Sequence, residues 1–232
     1  MKFPSINAVK IAVALFIASF AISCQRENSD DVNQDRIYAE YELYYDKNQN
    51  KTYASAVFRF GNATGTLLEL TSPSSVTFNG DQIPFDQTFS YYRKEYQGLV
   101  TGGTFVFTNT EGTSFTNTVS STRTIDFPTS MDTITASNGY TLAWVGDSIV
   151  TDEHVTVWMD GPLQNNSEFF FQYVEGTNSI VMAASQLGNL GTGNTTCTIE
   201  RVWETTASSV TGAGGKVRCK YKGTNRTVQV VP

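Results

Sequence analysis

Apolar and polar residues alternate with a period of two along most of this chain. Ile37-Tyr38-Ala39-Glu40-Tyr41-Glu42-Leu43 shows it plainly. That spacing places successive side chains on opposite faces of an extended strand, and helical periodicity is almost absent. In the first half the pattern predicts strands over 37–45, 53–60, 66–70, 75–78, 89–96, 103–108 and 114–119. Lys47-Asn48-Gln49-Asn50 and Asn109-Thr110-Glu111-Gly112 read as hairpin loops, and Asn79-Gly80 as a further turn, because Asn and Gly accept left-handed backbone at little cost. In the second half, strands are predicted over 123–127, 140–145, 154–159, 168–174, 179–183, 195–204 and 215–230, the last kinked at Gly223-Thr224-Asn225.

Short strands at even spacing, punctuated by turn residues, predict an all-β fold. A boundary at 122–128 divides them into two β-sandwich domains, 36–122 and 123–232. Ser179-Ile180-Val181-Met182-Ala183-Ala184-Ser185-Gln186-Leu187, then Gly191-Thr192-Gly193 and a long strand, resembles the late strands of bacterial immunoglobulin-like domains. The resemblance implies two tandem immunoglobulin-like β-sandwich domains.

The start of the chain has another character. Lys2 and Lys10 flank an apolar run over 11–23 that is too short for a ~30 Å hydrocarbon core and has the length of a signal-peptide apolar region. Residues 1–23 are therefore expected to be a signal peptide. Ala21-Ile22-Ser23-Cys24 resembles the lipobox of bacterial lipoproteins, although Ala21 stands where Leu is commonest. The resemblance implies a lipid on Cys24, with the membrane as partner and the outer membrane as location. Polar, acidic residues follow, and 24–35 is expected to be a flexible tether. This acidic stretch also resembles the surface-export signal of some Gram-negative lipoproteins, which implies a surface-exposed protein.

Charge and composition narrow the function. With 16 Lys+Arg against 22 Asp+Glu the net charge is -6. An acidic chain cannot present the basic face that nucleic acid requires. One His and three Cys offer few ligands or nucleophiles, so no cofactor, metal or catalytic set is expected. His154 opens a strand and follows no nucleophile elbow, so it reads as a strand-end residue. Asp147, Asp152, Glu153 and Asp160 form the densest acidic group. Paired carboxylates can serve a hydrolase or hold calcium, but solvated loop charges are the plainer reading. Asp46-Lys47-Asn48-Gln49-Asn50 starts like a calcium loop, then places Lys51 where Gly is needed and Val57 where the bidentate Glu should be.

Cys197 and Cys219 lie on apolar faces of two strands joined across 205–214. Outside the cytoplasm this favours a disulfide, with two buried thiols as the alternative. Val155, Val157 and Met159 share a core face, which turns Trp158 outward. A hairpin across 161–167 would set Trp158 beside Phe171 and Tyr173 as a flat aromatic strip, a candidate surface for a glycan or an envelope protein. The alternatives are an interface with the first domain or a register slip that buries Trp158. Tyr91-Tyr92-Arg93-Lys94-Glu95-Tyr96 is a weaker, locally basic candidate. The expected function is a binding or adhesion module without catalysis. Its rival is an accessory or structural subunit of an outer-membrane uptake or assembly complex, and a carboxylate-based hydrolase stands behind both.

Overall fold

The computed structural model describes residues 26–120, 123–163 and 166–232. Cys24 and the expected signal peptide lie outside the described residues.

The chain is built almost wholly of strands. In the first half these are β1 (Arg26–Asn28), β2 (Ile37–Asp46), β3 (Lys51–Phe60), β4 (Leu67–Glu69), β5 (Ser75–Phe78), β6 (Asp81–Gln82), β7 (Phe85–Asp86), β8 (Tyr91–Gln97), β9 (Gly102–Thr108) and β10 (Ser114–Ser120). The second half contributes β11 (Thr133–Thr135), β12 (Tyr140–Ala143), β13 (Glu153–Asp160), β14 (Ser167–Gln172), β15 (Ser179–Met182), a short helix α1 (Ala184–Asn189), β16 (Gly193–Thr206), β17 (Gly215–Lys222) and β18 (Arg226–Val231). The alternation works as expected: odd-numbered residues of β2 are buried and even-numbered ones half-buried through Tyr44. The predicted kink at 223–225 separates β17 from β18.

One large sheet carries strands from both halves, with the main path β1-β4-β3-β2-β17-β16-β13-β14. Its centre is a parallel pairing of β17 with β2, from Gly215 opposite Ala39 to Lys222 opposite Asp46. At the start of this pairing Gly215 has no substitute. A Cβ there would meet the Ala39 carbonyl oxygen at 2.5 Å.

The inner face of the sheet is covered in two places. The sheet β10-β9-β5-β6 covers one end, around Phe58, Phe78, Phe105 and Phe107. The pair β12-β15, α1 and their connecting loops cover the other, around Trp144, Val157, Met159, Leu187 and Ile199. The fold is therefore all-β, as expected, but its strands are not divided at residue 123. Ala207, Val217 and Cys219 pack in the core of the first half, and Tyr45 packs in that of the second. Two free-standing domains over 36–122 and 123–232 would each need a sheet of their own; here the halves share one.

The same sharing removes the expected disulfide. Cys219 lies opposite Trp203 on β16, whereas Cys197 lies opposite Arg226 and Met159. Six positions separate Cys197 from Trp203, about 20 Å of strand. A disulfide needs Cα atoms within roughly 7 Å. Each cysteine is buried in a different core. The Cys197 thiol donates toward the Thr195 carbonyl at 4.0 Å, and burial pushes its pKa up to about 12.

The expected tether over 24–35 is also corrected, as far as residue 26. Arg26–Asn28 pairs in parallel with β4, and Arg26 meets Glu69 at 3.3 Å. Ser29 is fully buried, and its hydroxyl accepts from the Thr71 amide at 2.8 Å. Gln34 donates to the Ser29 carbonyl at 2.5 Å, and Asp35 accepts from the Gly212 amide at 2.8 Å. These polar residues satisfy backbone groups at the rim of the first core, so their polarity marks capping rather than disorder.

Candidate functional site

The outer face of the large sheet offers two chemically distinct regions. At its far end β14 pairs with β13 alone among the strands of the path. The hairpin forms as expected, but its register sets Phe169, not Phe171, opposite Trp158; Phe171 faces Thr156. Phe169, Phe171 and Tyr173 alternate along one side of the chain, as a period of two requires. Ring centroids follow one another at 6.0 Å from Trp158 to Phe169, 6.4 Å to Phe171 and 5.7 Å to Tyr173. His154 closes the row at 5.0 Å from Phe171. Trp158 is 45%, Phe169 48%, Phe171 49% and Tyr173 66% exposed. The strip is thus a surface feature, and the register slip that would bury Trp158 does not occur. Phe169 was legible in the alternation of Phe169-Phe170-Phe171 but needed the register to find its partner.

Polar groups fix and border the strip. The Trp158 indole N–H donates to Asp160 at 2.6 Å, and the Ser167 hydroxyl donates to the same oxygen at 2.7 Å. This pins the plane of the indole. Beside it lies a shallow depression of about 300 Å³ lined by Thr156, Trp158, Phe169, Thr198 and Glu200. Glu200 is paired with Lys220 at 2.8 Å. His154 is half-buried, and loss of solvent holds its pKa below the usual imidazole value.

The middle of the same face is a lattice of paired charges. Arg218 donates to Glu204 through Nε at 2.7 Å and to Glu42 through Nη1 at 3.1 Å. Lys216 reaches Glu204 at 3.4 Å. Burial opposes ionisation of Glu204, but hydrogen bonds and charge from Arg218 and Lys216 outweigh it and lower its pKa. Aromatic rings here are covered by cations. Lys220 lies 4.9 Å over Tyr44, Arg93 lies 3.9 Å over Tyr53, and the two tyrosines stack at 5.8 Å. The basic Tyr91–Tyr96 segment is spent in the same way, with Lys94 on Asp81 at 3.1 Å and Glu95 on Lys51 at 2.8 Å.

The acidic group does not converge into one site. Glu153 is buried and lies 2.9 Å from both Arg201 and Arg123. Arg123 also meets Asp147 at 3.1 Å, and Arg201 donates to the Asp147 carbonyl. On β16, Arg201 stands between Ile199, in one core, and Trp203, which packs against the other. The network therefore fills the seam between the cores. Asp160 lies apart, at the aromatic strip. Among the described residues no cluster of three or more His, Cys, Asp or Glu could hold a metal ion, and no helix is long and apolar enough to cross a membrane. The calcium-loop-like segment is a hairpin turn, in which Asn48 donates to Asp46 at 3.0 Å and to the Gly223 carbonyl at 3.0 Å.

No family model matches the chain, and no curated protein matches it. Solved structures with some similarity include a Ca²⁺-stabilised adhesin that helps an Antarctic bacterium reach out and bind ice. The match has 20% identity and a TM-score of 0.24, over 84% of this chain and 49% of that one. Another comes from work on host cell surface retention of a 1.5-MDa bacterial ice-binding adhesin. It has 17% identity and a TM-score of 0.23, over 84% of this chain and 65% of that one. The chain thus spans about half the length of the first of these and under two thirds of the second.

Proposed function

We propose that the protein is a non-catalytic binding or adhesion module of the bacterial cell envelope, held by a lipid on Cys24 and engaging its ligand through the β13–β14 aromatic strip. The observation that carries this reading is the exposure of Trp158, Phe169 and Phe171 in a row on the β13–β14 ladder, continued by Tyr173 just past β14, with no cation over any of them among the described residues. Exposed apolar patches of this kind mark interaction surfaces. The anchoring half of the proposal rests on the lipobox-like Ala21-Ile22-Ser23-Cys24, and the sheet order says what such an anchor would do. β1 and β14 are the two ends of the main path, seven strand spacings apart, or about 33 Å. A lipid two residues before Arg26 would hold the β1 end at the bilayer and carry the strip at the other. The carboxylates support a role without catalysis, because Glu153 is neutralised by two guanidinium groups and Asp160 serves to orient Trp158.

Beads coated with the mature protein should retain envelope fragments, and a Phe169→Ala/Phe171→Ala variant should retain at least about tenfold less, as expected when central aromatic anchors are removed. Equal retention by both proteins would overturn the assignment of the strip. Palmitate labelling that persists in Cys24→Ala would overturn the anchor.

A further inference from the structure

We infer that the strip is a platform for a neutral oligosaccharide chain, which stacks its rings on Trp158, Phe169 and Phe171 and hydrogen-bonds its hydroxyls to Thr156, Thr198 and Asp160. This rests on the binding role of the strip and goes on to name the chemistry of the ligand. A pyranose has an apolar face of C–H groups and a rim of hydroxyls. The site has the complementary form. Its rings follow one another along a strand ladder, with Phe169 and Phe171 inclined by 25° to each other and Trp158 by 56° to Phe169, a bent row that a chain of linked sugar rings can follow. The indole is already oriented by Asp160 at 2.6 Å, and Asp160 by Ser167 at 2.7 Å. The hydroxyls of Thr156 and Thr198 and the carboxylate of Glu200 border the depression beside Trp158.

Area and charge separate this ligand from others. Aromatic side chains can bury about 150–250 Å² each, so the four partly exposed ones offer together about 300–500 Å². A stable protein interface needs roughly 800 Å² from each partner. The strip by itself offers less than one partner's share of a stable protein interface but enough for one face of a short glycan. Among the described residues no cation faces Asp160, whereas Glu200 is matched by Lys220 at 2.8 Å. An anionic glycan would meet an uncompensated carboxylate at the strip, and a neutral one would use it as an acceptor.

The test is affinity electrophoresis of the mature protein in native gels containing hydroxyethyl cellulose, laminarin or galactomannan, with polygalacturonate as the anionic counterpart. At least one neutral polymer should retard the protein. Phe169→Ala/Phe171→Ala should weaken that retardation at least about tenfold, while Phe171→Tyr, which keeps the ring, and Phe89→Ala, an exposed aromatic elsewhere, should preserve it. The bound polymer should also shift Trp158 fluorescence in the parent and not in Trp158→Phe. Failure of all three neutral polymers, or stronger retardation by polygalacturonate, overturns the inference. If bead retention still depends on the strip in that case, the binding role stands and only the sugar is wrong; if it does not, both fall. A dimer that the double variant abolishes would show that a second copy covers the strip, which also overturns the inference.

Discussion

Tyr53 and Phe171 lie on the same face of the same sheet, yet one is 4% and the other 49% exposed. Both alternate with core residues, and both have aromatic neighbours. The difference is their place in the strand order. Tyr53 is on β3, flanked by β2 and β8, and receives Tyr44 from one side and Arg93 from the other. Phe171 is on β14, which ends the path, and receives cover only from β13. A ring on the last strand keeps a free flank, and Trp158, one strand in, stays open because its neighbour on β16 is only the short Thr198. The charged lattice and the aromatic strip are thus one pattern in two settings, and only the second can offer ring faces to a ligand.

The two settings separate under mutation. The largest effect should come from the seam that joins the halves beneath this face. Glu153→Ala would leave Arg201 buried and facing Arg123 without their shared counter-ion, and should cost about 3–5 kcal/mol in urea unfolding. A loss below 1 kcal/mol would show that the network does not hold the halves together. Next, Tyr53→Ala should cost about 3 kcal/mol, as for other buried aromatics. Phe171→Ala should stay within about 1 kcal/mol and remove binding instead. Equal stability losses at the two sites would erase the distinction. Gly215→Ala tests the parallel junction between the halves. Its Cβ would press on the Ala39 carbonyl, and a loss of about 1–3 kcal/mol in urea unfolding is expected.

Smaller again is the effect of pH through His154. Its folded pKa lies below the usual 6.5 because burial disfavours the cation. The unfolded chain therefore takes up the proton first, and stability falls as pH drops below about 6.5 toward the folded pKa. His154→Asn should flatten that part of the urea-midpoint curve. An unchanged slope would remove His154 as its source. Glu204 has a lowered folded pKa, so its contribution is present above about 4.5 and is lost at lower pH, which keeps the two windows distinct.

Much of the local structure was legible because it rests on short-range chemistry. The period of two marked the main strands, Asn and Gly marked the turns, and Val155, Val157 and Met159 turned Trp158 outward. Long-range pairing was not legible. Nothing in the local pattern of β17 says that β2, far away in sequence, will lie beside it in parallel. That one pairing moved Val217 and Cys219 into the first core, separated Cys219 from Cys197 and merged the expected sandwiches. Residues 26–35 depart from the expected tether for a related reason. Ser29, Gln34 and Asp35 look like linker until the backbone groups they cap are brought to them by the fold.

Sequence by itself thus determined the strand-rich character of the chain, the inward and outward faces of its main strands and its acidic balance. These follow from side-chain periodicity and charge, which act over a few residues or over the whole composition. Tertiary structure alone decided which strand ended the sheet and which neighbours each outward ring received, and so which rings stayed open. That choice depends on contacts between residues far apart in the chain, whose free energy appears only when the cores close.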